Sequence, residues 1–354
     1  MTQQLYFAIP GDLDARTGGY GYDRRLLVEL RRLGLRVEHL ELDASFPFPD
    51  AKALQHTEEI FARLPDQALV LVDGLAFGAM AQCASRHAQR LRLIALCHHP
   101  LALESGLSAA QQQAFKESEQ LALSCARAVI VTSASTARTL AELFAIAESR
   151  ITVAQPGTDR ADFAPCAGEP PVLLCVATLT RRKAHDVLIA ALAMLADLPW
   201  QARFVGGEEF DPLWAMQLRH QINAAGLDSR IHLLGSVEEL APEYLNADLF
   251  VLPSRYEGYG MVFAEALAHG LPIVAARAGA VADVVPESAG CLVPVEDAQA
   301  LAQALRTLLT DRVAYARLRS GAQTAAKELD TWQDTANSVF ACIENMTQRT
   351  ERVT

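Results

Sequence analysis

Twelve short apolar runs alternating with amphipathic segments constrain what this chain can fold into more than any other feature. In the first half they begin at Leu5, Leu35, Ala68, Leu91, Ala128 and Ile151; in the second, at Val172, Ala202, Ile231, Asp248, Pro272 and Cys291. Runs this short and rich in Val, Ile and Leu read as buried strands, and the helical spacing between them gives βαβ units. Such units assemble into parallel sheets with helices on both faces. A chain of 354 residues has room for two of these domains. The stretch DFAPCAGEPP, residues 162–171, has no periodicity and reads as a linker. The expected fold is therefore α/β, with two Rossmann-like, doubly wound parallel-sheet domains facing across a cleft. Residues 1–165 form the first domain, 171–330 the second, and 331–354 a terminal segment. Ligands of such sheets bind at the carboxyl ends of the strands.

Charge excludes one class of partner. The chain carries a formal −11. Neither half hides a basic face, since residues 1–170 hold 16 Lys/Arg against 20 Asp/Glu and the rest 15 against 22. Nucleic acid, which needs concentrated positive charge, is a poor partner. The apolar runs all fall short of the roughly 18 residues of a membrane-spanning helix. The start, MTQQLYFAIP, lacks a signal-peptide pattern, and the seven cysteines form no CxxC pair. Both point to a cytoplasmic setting.

The most informative stretch is RYEGYGMVFAEA, residues 255–266. It follows a buried-strand pattern and precedes a helical one that stops at Gly270, so Glu257 to Gly260 is a strand-to-helix turn. Its glycines allow close backbone approach, and the free N–H groups of the helix start suit a phosphate or sugar oxygen. Glu257 projects from the turn, and Glu265 lies about two turns into the helix. Taken alone, the stretch also fits a glycine-rich turn with a solvated Glu257 and a Glu265 paired to an arginine.

With its surroundings, LPSRYEGYGMVFAEALAHGLPIVA resembles the E-x7-E region of the family-4 glycosyltransferases. These are retaining nucleotide-sugar enzymes of group 1 with the GT-B fold. Further matching blocks run in the family's order: the glycine loop RTGGYGYD, then CHHP, VTSAST, QPGTD, RRKAHDVLIAAL and VGGEE. The resemblance covers most of the chain and implies roles for single residues. Glu257 would hold sugar hydroxyls at the reacting centre, and Glu265 would accept from the ribose diol. Gly258 and the amides of Tyr259, Gly260, Met261 and Val262 would meet sugar and diphosphate. Gly18 and Gly19 would face the phosphates from the first domain, and Gly206 would line the donor site from the second. Lys183 falls on the diphosphate-clamp lysine, where a cation offsets charge on the leaving group. Thr178 stands where the family usually has arginine, and Ala184 where it usually has glycine. Arg182 or Arg181 would fill the missing charge. His98 falls on the active-site histidine, with His99 as the adjacent candidate.

The implied reaction is metal-independent hexosyl transfer (EC 2.4) from a UDP- or GDP-sugar, with retained configuration and no further cofactor. Asp12 and Asp14 form a D-x-D, which the resemblance makes incidental. The acceptor, a small molecule, glycan or lipid, would dock on the first domain, whose stretches 43–50 and 101–118 are the least family-like. The residues from Thr331 resemble the family's terminal helix, which crosses back to brace the first domain, with Trp332 as packing. Three rivals remain. One is another GT-B enzyme, a nucleotide-sugar epimerase or a phosphorylase. The second is a non-catalytic nucleotide-sugar sensor, which Thr178 favours. The third, less favoured, is a membrane-surface enzyme using Arg24, Arg25, Arg31, Arg32 and Arg36 on anionic headgroups. Alanine at His98, Lys183 or Glu257 is expected to cut transfer at least about a hundredfold with little effect on stability.

Overall fold

The computed structural model describes residues 3–15, 17–104 and 106–351, with residues 347–351 as backbone alone. The chain divides into two compact units, one of Met1–Gly157 with Asp330–Thr354, the other of Thr158–Leu329.

The first unit is built on a six-stranded sheet. Its strands are β1 (Gln4–Pro10), β2 (Arg36–Leu42), β3 (Leu69–Asp73), β4 (Arg92–Cys97), β5 (Ala128–Val131) and β6 (Ile151–Val153). They run in the order β2-β1-β3-β4-β5-β6, and every pairing is parallel. Leu5 of β1 is in register with Val37 on one side and Leu69 on the other. The order reverses direction between β1 and β3, and that switch point is where such a sheet opens a crevice at its carboxyl edge.

The second unit repeats the plan with β7 (Val172–Val176), β8 (Gln201–Val205), β9 (Ile231–Gly235), β10 (Leu249–Leu252), β11 (Ile273–Ala276) and β12 (Gly290–Val293). Their order is β12-β11-β10-β7-β8-β9, again all parallel. Here the switch point lies between β7 and β10. Phe250 of β10 sits between Leu174 and Ile273, is 0% exposed and meets Phe263 edge-on. Truncating a ring so placed removes about 3–5 kcal/mol of stability.

The stretch 162–171 departs from the expected linker. It is fastened to the second unit: Ala164, 1% exposed, donates its N–H to His269 O, and the Asp248 carboxylate accepts from Gly168 N and Val172 N. Composition marks a segment unable to form a helix or strand, but its backbone groups still find partners in the fold. The units part at Gly157 and Thr158 instead.

The final helix, Trp332–Glu351, belongs to the first unit. Trp332, Ala336, Val339 and Ile343 form its buried stripe, spaced three or four apart. Trp332 meets Tyr22 edge-on at 5.9 Å and lies under the Arg25 guanidinium, and Thr335 donates to Gln155 O at 2.6 Å. Among the described residues, no helix is long and apolar enough to cross a membrane.

Candidate active site

In the second unit the loops after β7 and β10 meet at the switch point. Glu257, 4% exposed, is their shared anchor. Lys183 Nζ lies 2.7 Å from Glu257 Oε1, Arg182 Nη1 3.3 Å from Oε2, and Ser254 Oγ donates to Oε1 at 2.6 Å. Burial by itself would raise the Glu257 pKa. The cations of Lys183 and Arg182 and the hydroxyl of Ser254 outweigh it and hold the carboxyl at about 2. Burial, with Arg182 adding to it, takes Lys183 below the ordinary lysine range against the pull of Glu257. Glu257 is thus a neutralised anchor, not a solvated one.

Two arginines cross-tie the same loops. Arg182 Nη1 donates to Tyr256 O at 3.0 Å, and Arg255 N donates to Arg182 O at 2.8 Å. The Arg255 guanidinium returns to Arg181 O and pairs with Asp186 at 2.8 Å and with Glu296. Arg182 is committed to Glu257 and Tyr256 O. Thr178 is half-buried at the end of β7. Gly206 abuts it: a Cβ there would fall 1.9 Å from Ala177 O, so only glycine lets the two backbones meet. Ala184 has φ +53 and is wholly buried, a left-handed backbone in which glycine would be unstrained. Beneath the loop His185 packs on Phe204; burial, reinforced by Lys183, brings its pKa down to about 3. It enters the core as a neutral ring.

The helix after the turn starts at Met261 with Gly260 as its cap, at φ +88. A Cβ on Gly260 would lie 2.6 Å from the Phe263 ring, so the sharp entry depends on glycine. Tyr259 turns its ring into the core, leaving its backbone to the turn. Gly258 is buried, and Met261 and Val262 are half-buried. Glu265 is the fifth residue of the helix, about one turn in rather than two. Its partner is a tyrosine and not an arginine: Tyr244 donates to Glu265 Oε2 at 2.8 Å, backed by His269 stacked at 4.8 Å. Burial raises the Glu265 pKa, Tyr244 opposing and Asp159 adding to the rise.

In the first unit the glycines of the expected loop lie in a helix. Gly18 and Gly19 open the helix Gly18–Arg32, after Thr17; Arg16 falls outside the described residues. A Cβ at Gly19 would touch the His98 ring at 3.7 Å, so these two predicted residues share one place. His98 Nε2 lies 3.1 Å from Asp23 and 3.4 Å from Asp73. His99 Nε2 instead approaches Glu104 at 3.5 Å. The segment after them is seated by Glu119, whose oxygens accept from Leu101 N and Ala102 N at 2.8 and 2.9 Å. Burial pushes that carboxyl up to about 7, against the two amides. The stretches 43–50 and 101–118 meet where Phe48 packs edge-on against Phe115.

Asp12 Oδ1 accepts from Asp14 N at 2.9 Å, and both residues are exposed. Among the described residues, two clusters bring ligand atoms within 4.8 Å of one another: Glu58, Cys83 and His87, and Asp23, Asp73 and His98. In the first, Arg86 occupies Glu58 and Arg90 bonds His87 Nδ1. Four of the five arginines considered for a membrane surface have local partners. Arg24 bonds Ala15 O, Arg25 covers Trp332, Arg31 bonds Val37 O and Arg32 pairs with Glu29.

Sequence reasoning missed Asp23, Asp73, Tyr244 and the cross-tie of Arg255. Asp73 carried a signal, an acid closing an apolar strand at its carboxyl end. Tyr244 carried none, because its site partner lies 21 residues away.

Comparison with known proteins assigns the architecture and the family. A model described as glycosyl transferase 4-like domain matches residues 12–157, and one described as glycosyl transferases group 1 matches residues 170–311. The chain is 30% identical over 253 residues to the D-inositol 3-phosphate glycosyltransferase of Xylanimonas cellulosilytica, covering 65% of this chain and 60% of that relative's length. The sucrose-phosphate synthase structure from Thermosynechococcus elongatus superposes with a TM-score of 0.83 at 22% identity, covering 98% of this chain and all of that one. Anabaena HepE in complex with UDP-glucose gives 0.75 at 19%, covering 97% and 99%. With both of its units matched in order, the chain belongs to the group 1, family-4-like glycosyltransferases and has their GT-B architecture.

Proposed function

We propose that the protein is a glycosyltransferase that moves a hexosyl group from a nucleoside-diphosphate sugar to an acceptor with retention of configuration. The donor is held by the second unit, and His98 and the acceptor by the first. The observation that carries this reading is the cluster at the β7/β10 switch point. A buried carboxylate there is kept ionised by Lys183 and Arg182, next to the helix start at Gly260. Fixed charges of that kind suit a reaction in which a diphosphate departs. The structural neighbour solved with UDP-glucose and the relative named for a sugar-alcohol phosphate support the same class.

In the proposed step, the bond from the anomeric carbon to the diphosphate oxygen breaks, and the acceptor oxygen bonds to that carbon on the same face. The acceptor's proton goes to a diphosphate oxygen. Lys183 and the amides at the helix start stabilise the departing charge, Glu257 orients the sugar hydroxyls, and Glu265 takes the ribose. A double displacement would need a nucleophilic carboxylate about 5 Å from a partner acid. Glu257 suits that role poorly, with Lys183, Arg182 and Ser254 already on its oxygens. All seven cysteines are free thiols, which fits a reducing cytoplasm.

Thermal-shift screening against UDP- and GDP-sugars, followed by nucleotide release with and without candidate acceptors, tests the proposal. Binding with no turnover on any acceptor would replace it with a sensor, the reading that Thr178 favours. Failure of every nucleotide sugar to raise the melting temperature would end both.

A further inference from the structure

Two carboxylates that the proposed reaction does not use converge on one histidine nitrogen. Asp23, in the helix Gly18–Arg32, and Asp73, the last residue of β3, are 1% and 2% exposed. His98 Nε2 lies 3.1 Å from Asp23 Oδ1 and 3.4 Å from Asp73 Oδ2. A hydrogen on Nε2 can be shared between these two carboxylate oxygens. Asp73 cannot swing away, because its Oδ1 also accepts the Leu75 N–H at 2.9 Å. The ring is held edge-on by Tyr22 at 5.0 Å, and Gly19 lies against its Cδ2. The His98 side chain keeps 21% of its surface. Among the described residues Nδ1 makes no hydrogen bond and is not sealed in. We infer that Asp23 and Asp73 are positioning residues that hold His98 as a hydrogen-bond-donating cation, so that it offers a bound substrate fixed positive charge and not a proton acceptor.

The surrounding groups agree. Burial alone would lower the imidazole pKa, yet the two carboxylates bring it up to about 10. Asp23 rises to about 7, chiefly through burial, with His98 opposing and Asp73 assisting. From the same helix, Tyr20 is raised to about 12 by burial and then by Asp73 and Asp23, and burial raises Tyr22 as well, so both stay neutral. Burial raises the neighbouring Cys97 thiol on β4. Beyond Tyr22, the final helix presents Trp332, with Arg25 on its face. The acid–histidine arrangement therefore differs from one that activates an acceptor: a base must be free to take a proton near neutral pH.

The charge state stands by itself, while its catalytic consequence rests on the proposed transfer. The experiment reads the two separately. Selective 15N-histidine NMR of the full chain, with His98 identified by the signal lost in His98→Gln, needs no substrate and no Asp variant. The expected result is an imidazolium that persists to about pH 8.5 and titrates at or below about pH 7.5 in Asp23→Asn and Asp73→Asn. A neutral His98 ring at pH 7 in the unaltered protein overturns the inference. Nucleotide release from UDP-glucose and GDP-mannose is measured alongside. It should be nearly flat from pH 6.5 to 8.5 in the parent and fall about tenfold over that range in each Asn variant. Flat profiles in folded variants whose His98 has lost its charge would overturn the catalytic role. If no nucleotide is released at all, the transfer reading fails while the NMR result still decides the charge.

Discussion

Lys183 Nζ lies 2.7 Å from Glu257 Oε1, with only 14% and 5% of the two side chains exposed. Each is the other's counter-charge in a place where water cannot substitute. Sequence reasoning treats them as two ligand-facing groups whose loss leaves stability alone. The geometry makes them a structural pair as well.

Lys183→Met should therefore destabilise the second unit by about 2–4 kcal/mol, because Glu257 keeps only Arg182 and Ser254. Urea denaturation of both proteins measures this. A change under about 0.5 kcal/mol would mean that the pair does not persist in solution.

The same carboxylate gives stability a signed pH dependence. Its folded pKa, about 2, lies below the ordinary glutamate value of 4.5, so the contribution is fully present above 4.5 and is lost as pH falls toward 2. The melting-temperature gap between the parent and Glu257→Gln should be widest near pH 6 and should narrow on titration toward pH 3. A gap that widens in acid has the wrong sign for this assignment.

Tyr244→Phe removes one hydrogen bond and little volume. Glu265 Oε2 then loses the hydroxyl that orients it, and UDP affinity should weaken about tenfold, while stability changes by roughly 1 kcal/mol. Calorimetric titration with UDP checks the expectation. Unchanged affinity would remove Glu265 from the proposed ribose contact or make its orientation irrelevant.

Arg255→Lys tests the cross-tie. A lysine cannot reach Asp186, Glu296 and Arg181 O together in the planar pattern of the guanidinium. Because the residue is a quarter exposed, the stability loss should stay near 1 kcal/mol, yet donor binding should weaken by about tenfold as the 181–186 segment loosens. Parent-like binding would show that the two loops hold their places without it.

The fold was legible because buried parallel strands leave uninterrupted apolar runs, and all twelve expected runs contain a strand. The turn from Glu257 to Gly260 and the helix after it were legible because they are contiguous in sequence, whereas the pairing of Glu257 with Lys183 spans 74 residues and was not. What composition could not show is how non-repeating segments are tied. The proline-rich stretch 162–171 looks free yet is pinned by Asp248 and His269. Asp23 and Asp73 belong together only after β3 and the helix Gly18–Arg32 are assembled, 50 residues apart in sequence and both beside His98.

The last helix adds a temporal consequence. Trp332, Val339 and Ile343 complete the core of the unit that the first 157 residues began, and everything between them forms the other unit. During synthesis the middle portion can finish folding on its own, whereas the leading portion must wait, its docking face for that helix open to water, until the C-terminal helix emerges. A polypeptide halted near residue 329 would carry one completed half and one unsealed half, an inviting substrate for chaperones and proteases.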